Sequence, residues 1–240
     1  MMKLTNTQKL LSIHLFCHLM LIPAFIYGNI WLFVASFIWW QWIAATSISA
    51  GYHRYFSHRS FKAPSWYEIY SQFLGLFANP GPVLTWAATH RMHHTYVDSD
   101  KDPHSPTIKG FLKVYCSAWG DDVKIERRML KGLNTPSIKF FHKNYFTLII
   151  LVPLFLFLID PMLFLFGWCV PVVFAFHGYG IVNVLPHAKN GEPKNSWFAN
   201  ILTGGEGWHK NHHDKSQDWK IGQHWWQVDT GAWWIKAIKR

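Results

Sequence analysis

LLSIHLFCHLMLIPAFIY at residues 10–27, then Gly28-Asn29, then IWLFVASFIWWQWIAATSISA at 30–50, contains no Asp, Glu, Lys or Arg. A bilayer core takes about 20 helical residues, so this stretch reads as two membrane spans folded back on a two-residue turn. A second pair follows at Ile138–Ile159 and Met162–Val182, parted by Asp160-Pro161. The uncharged core of its first member is only 146–159, and it reaches span length with Lys139 and Lys143 snorkelling at its end. The first run pairs too closely with the second, and lacks a small-residue cleavage site, to be a signal peptide. The expected fold is an all-α integral membrane protein: one domain over 1–240, four transmembrane helices, and a helical cap of 51–137 and 183–240.

Composition agrees. Of the 240 residues, 50% are hydrophobic, 18% aromatic and 15% charged, against a usual charged share of about 25%. Fifteen Trp suit a large membrane interface. The three cysteines, Cys17, Cys116 and Cys169, are too scattered for a disulfide framework or a thiolate zinc site. A net charge of +10 fits the anionic cytoplasmic leaflet better than nucleic acid in so apolar a chain. All 23 Lys and Arg fall within 1–9, 51–143 or 183–240. The positive-inside rule therefore puts both termini and the cap in the cytoplasm. Trp66–Ala88 is apolar but broken at Asn79-Pro80-Gly81-Pro82, which predicts a helix that dips toward the membrane and turns back. The Trp-rich tail reads as an amphipathic segment on the surface.

Nine of the fifteen histidines form a pattern. His53 and His58 are five apart; His90, His93 and His94 form His-x2-His-His, and His209, His212 and His213 repeat it; His187 lies four after Asn183. Neutral imidazole is the commonest ligand for first-row transition metals, and nine exceed what one ion can use. Offsets of three and four share a helix face; an offset of five turns about 140°. Hence either the helix ends near His53, or His53 and His58 address different ions. All nine cluster at one predicted membrane face. His14, His18 and His177 are expected to pack within the bundle, His104 to support a turn, and His142 and His224 to lie at the interface. Ligand softness leaves iron, copper and zinc open. Glu206, Asp98 and Asp102 are sequence neighbours able to fix ring tautomers.

These strings resemble those of the integral-membrane fatty acid desaturases of the acyl-CoA, delta-9 (stearoyl-CoA) type. The matching segments are His53-Arg-Tyr-Phe-Ser-His58, Trp86-Ala-Ala-Thr-His90-Arg-Met-His-His94, Asp100-Lys-Asp-Pro-His104, Asn183-x3-His187 and Gly205-Glu-Gly-Trp-His209-Lys-Asn-His-His213. The resemblance implies a non-haem di-iron centre held by His53, His58, His90, His93, His94, His187, His209, His212 and His213. It adds Asn183 through a water, and no catalytic side chain beyond the metal. It implies O2 as co-substrate, a fatty acyl substrate, most simply acyl-CoA, and removal of two vicinal hydrogens. Trp86 matches a tunnel-lining position, and Arg127, Arg128, Lys139 and Lys143 precede the third span, where relatives contact the carrier head group. With no His-Pro-Gly-Gly haem motif in the sequence, electrons are expected from a separate ferredoxin, rubredoxin or cytochrome b5-like protein. Lys210, Val184 and Pro186 depart from the usual pattern. A hydroxylase of acyl chains, alkanes or carotenoids on the same scaffold is the nearest alternative. A metal transporter or sensor is more remote, since transporters place ligands near the midplane.

Overall fold

A computed structural model describes residues 4–116, 124–187 and 192–240, and among these all regular secondary structure is helical. Four helices are long and apolar enough to cross a membrane: Asn6–Tyr27, Ile30–Ser57, Pro136–Ile159 and Pro161–His187. Each begins where its sequence supplies a cap. Thr5 and Gln8 form a reciprocal capping box before α1 (Asn6–Leu19), which α2 (Leu21–Tyr27) continues. Asn29 accepts from the N–H groups of Trp31 and Leu32 to start α3 (Ile30–Ile43). Before it, the chain turns at Gly28, where any Cβ would strike the Phe166 ring.

Spans two and four form the inside of the bundle. Half or more of their apolar windows is buried, 50% and 56%, against 22% and 17% for spans one and three. The outer spans show Phe25, Ile26, Ile150 and Leu158 on their outer faces. Both inner spans outrun their sequence estimates at the histidine end. Span two passes from α3 into a π-helix, Ala44–Ser57, instead of stopping near Ala50. Span four runs through α9 (Pro161–Phe164), a short π segment and α10 (Val170–Val184) to a 3-10 turn at Leu185–His187.

The dip foreseen at 66–88 is a helical hairpin, and it is seated within the bundle. Helix α4 (Trp66–Gly75) lies along the π-helix, with Tyr67 Oη donating to Thr46 O at 2.7 Å and Ser47 Oγ to Ser71 O at 2.7 Å. Gly51 permits this approach, since a Cβ there would lie 2.6 Å from Ser71 Cβ. The turn at Asn79–Gly81 has left-handed φ of 51° and 88° at its two ends. Asn79 Nδ2 donates to Leu10 O of span one, and Gly81 N to Tyr145 Oη of α8 (Pro136–Ile159). The chain then returns as α5 (Val83–Tyr96). Two short helices follow, α6 (Pro106–Lys109) and α7 (Phe111–Tyr115).

The last segments close over the histidine end as α11 (Trp197–Thr203), α12 (His209–Asp214) and α13 (Thr230–Ile238). Trp40 and Gln41 of span two donate to backbone carbonyls of α11. The histidines assigned to packing do pack. His18 Nε2 meets His177 Nε2 at 3.2 Å, His18 Nδ1 donates to His14 O, and Tyr115 Oη lies 2.8 Å from His177 Nδ1.

Candidate metal centre

The π-helix decides how His53 and His58 meet. In a π-helix the hydrogen bond closes from i to i+5, and His58 N–H donates to His53 O at 3.1 Å. Residues five apart therefore stack, and both rings enter one cluster. Neither alternative drawn from α-helical rotation holds: the helix does not end at His53, and the two rings sit together.

The nine rings form two adjacent sets. His53, His58, His90, His94 and His212 have ligand atoms all within 4.8 Å of one another; so do His93, His187, His209 and His213. Each His-x2-His-His box is split between them. On α5, His90 and His94 face the five-ring set and His93 the other. On α12, His212 faces the five-ring set while His209 and His213 face the other. The boxes thus join the two sets. One ring of each is only partly buried, His94 and His213, and these stack with centroids 4.5 Å apart at 23°.

Three carboxylates stand against the outer edges of the rings. Glu206 Oε2 lies 2.5 Å from His53 Nδ1, Asp102 Oδ2 2.9 Å from His93 Nδ1, and Asp98 Oδ2 3.3 Å from His187 Nδ1. A carboxylate keeps the proton on Nδ1, which leaves the Nε2 lone pair bare and turned inward. Nε2 atoms approach each other at 2.9 Å for His53–His212, His212–His94 and His58–His90, and at 2.8 Å for His187–His209. With metal–nitrogen bonds of about 2.0–2.1 Å, two ligands at right angles lie about 2.9 Å apart. Burial, then the charge of neighbouring rings, holds His90, His94, His209 and His212 below the ordinary imidazole range. These four rings are thus neutral donors near pH 7. Converging lone pairs at these separations repel one another without a cation between them, so the donor set fits a pair of transition-metal ions.

Around Glu206 the sequence hid a buried network. Arg54, almost wholly buried, donates to Asp229 Oδ1 at 2.8 Å, to Ser49 Oγ, to Glu206 Oε1 at 3.3 Å and to Trp219 O. Ser49 Oγ also hydrogen-bonds Glu206. Burial alone would raise the Glu206 carboxyl; His53, Arg54 and Ser49 outweigh it and hold the group at about 2. Gly205, at φ 143°, passes so near that a Cβ would meet Asp229 Oδ1 at 2.8 Å.

A cavity borders the rings, lined also by Trp40, Ala44 and Ile48 of span two and by Tyr179, Val182 and Asn183 of α10. Trp86 also lines it, stacked over His90 with centroids 5.2 Å apart. Asn183 is thus beside the centre. Arg127, Arg128, Lys139 and Lys143 are exposed and do not line this cavity; Arg128 is engaged by Glu126 and Tyr96. His104, set down as a turn residue, is buried, stacks on His93 at 4.1 Å, lines the cavity, and gives its backbone N–H to Asp102. Its place in Asp-Pro-His beside Asp102 was the available signal. Lys210 points outward and pairs with Asp214, while Val184 and Pro186 are buried.

Comparison with known proteins gives one consistent match. The model of the family described as fatty acid desaturase matches residues 27–238. An acyl-CoA C20 Delta5-desaturase of Anemone leveillei is 33% identical over 78% of this chain and 64% of its own length. The delta-9 acyl-lipid desaturase 2 of Arabidopsis thaliana is 33% identical over 80% of this chain and 67% of its own. The sn-1 stearoyl-lipid 9-desaturase of Synechocystis is 33% identical over 95% of this chain and 74% of its own. The chain thus spans about two thirds to three quarters of these relatives' lengths.

Proposed function

The chain belongs to the fatty acid desaturase family, and we propose that it desaturates a long-chain fatty acyl substrate at the delta-9 position, using O2 and two electrons from a separate redox protein. The observation that carries this reading is the joining of two histidine sets to an apolar cavity running back along span two. Atoms balance as R–CH2–CH2–R′ + O2 + 2 electrons + 2 protons giving R–CH=CH–R′ + 2 water.

Nine histidines, with Asn183 through a water, would hold two iron ions; when bound, these supply activation of O2 and removal of hydrogen from an unactivated methylene. The remaining work belongs to the chain itself. Methylenes offer no acidic proton or polar handle, so position must come from the shape of the cavity. The wall runs along span two from Trp40 through Ala44 and Ile48 to His53, and each methylene buried against it contributes about 0.8 kcal/mol. The Trp86 ring, stacked over His90, bounds the cavity beside the reacting carbons. Glu206, Asp98 and Asp102 keep His53, His187 and His93 in the tautomer that points Nε2 inward.

The acyl-CoA-type motifs favour CoA as the carrier. Two of the relatives named above act on acyl lipids by name, so a test must offer both carriers. With the basic segments on one side, both termini and the centre face the cytoplasm, where an acidic redox donor would meet a strongly basic protein.

Expression in a desaturase-deficient host with a matched electron donor, followed by mass spectrometry that locates double bonds, tests the reading. New delta-9 monoenes are expected in the CoA or the lipid pool. An unchanged profile from folded protein holding two irons would sink it, and a hydroxylated product would establish the hydroxylase instead. His93→Ala is expected to abolish product while leaving membrane insertion intact; retained turnover would contradict a ligand role.

A further inference from the structure

The two ring sets are surrounded by unequal charge. Against the four-ring set stand two carboxylates, Asp102 on His93 and Asp98 on His187. The other donors to them are neutral: Ser105 Oγ at 2.5 Å on Asp98, and the backbone N–H groups of Asp98 and His104 on Asp102. Among the described residues, no Lys or Arg forms an ion pair with either. Against the five-ring set stands Glu206 alone, and Glu206 already faces the Arg54 guanidinium at 3.3 Å. Arg54 in turn is shared with Asp229 at 2.8 Å.

We infer that the four-ring set is the stronger divalent-cation site of the two, and that the five-ring set fills second and empties first. This rests on the reading that the nine rings hold two ions. A cation held by neutral imidazoles carries its whole charge into a buried place, where nearby anions offset it. A carboxylate on Nδ1 also raises the basicity of Nε2, and such partners are worth about 10- to 100-fold in metal affinity. The four-ring set has two of them uncompensated. The five-ring set has one, and Arg54 shares it. A fifth neutral ring adds a donor to the other set but no charge.

The partly buried rings supply a reporter for each set, His213 for the four-ring set and His94 for the five-ring set. Full-length protein in detergent, stripped of metal, is titrated with Zn2+ and labelled at histidine with diethyl pyrocarbonate, and peptides are read by mass spectrometry. His213 is expected to lose reactivity with the first equivalent and His94 with the second. Protection of His94 first, or of both together, overturns the inference. No Zn2+ binding at all would instead refute the two-ion reading beneath it. As a second arm, Asp98→Asn is expected to weaken the first binding step about 10- to 100-fold and spare the second. If that variant weakens only the second step, or neither, the assignment fails; should it not fold, the wild-type order stands as the test.

Discussion

Asp102 is wholly buried yet carries three donors: His93 Nδ1, and the backbone N–H groups of Asp98 and His104. Burial pushes its carboxyl up, and the His93 contact with the two N–H groups brings it below the ordinary carboxylate value, so the anion is the resident form. Asp102→Asn keeps the shape and removes the charge. Metal retained after dialysis should fall about 10- to 100-fold in apparent affinity, with helix content unchanged by circular dichroism. At this scale the sequence was informative where chemistry is local. Asp98, Asp102 and Glu206 were named because they sit within a few residues of the boxes, and the structure sets each against a ring Nδ1. His104 was read as a turn because a sequence shows no stacking. Arg54 went unremarked because its partner Asp229 lies 175 residues away.

At the scale of elements, the hydrophobic runs announced the spans, since transfer of apolar surface needs no partner to be recognised. The π-helix was not announced. An argument from 3.6-residue rotation separates His53 from His58, and only the i to i+5 hydrogen bonding of 44–57 brings them into register. Deleting Ala45 should move His53 and His58 by one position relative to α3, and is expected to abolish metal binding with membrane insertion preserved. Two bound equivalents in the deletion variant would show that the register does not matter. The hairpin of α4 and α5 makes a second prediction. Gly51→Val places a branched side chain where Ser71 Cβ already lies 2.6 Å away. Overpacking of this kind costs about 1–3 kcal/mol, to be read as a lowered unfolding temperature in detergent.

For the whole molecule, the tail is fastened to the interior by charge. Asp229 accepts from Arg54 and from the N–H groups of Ile221, Gly222 and Ala232, and both Arg54 and Asp229 are buried. Asp229→Asn strips the guanidinium of its closest anion, which for a buried pair costs about 3–5 kcal/mol; thermal unfolding should shift down accordingly. A variant as stable as the wild type would show that Glu206 suffices for Arg54. Chelation should act on the same observable. An ion at about 100 times its dissociation constant contributes about 2.7 kcal/mol, so metal-stripped protein is expected to unfold at lower temperature and recover on adding iron. Sequence reading foresaw the cap as a unit, but not that its last segment is held through the residue next to His53.

Each ring set draws on both ends of the chain: the five-ring set needs residues 53–94 and also 212, and the four-ring set needs 93 and also 187–213. During synthesis, neither set can be completed until His212 and His213 have left the ribosome. The α4–α5 turn waits as well, for Tyr145 of span three. Completion of either set is therefore a late event, open only to a polypeptide that has made all four crossings. Chains released before His212 would carry His53, His58, His90, His93 and His94 yet complete neither set.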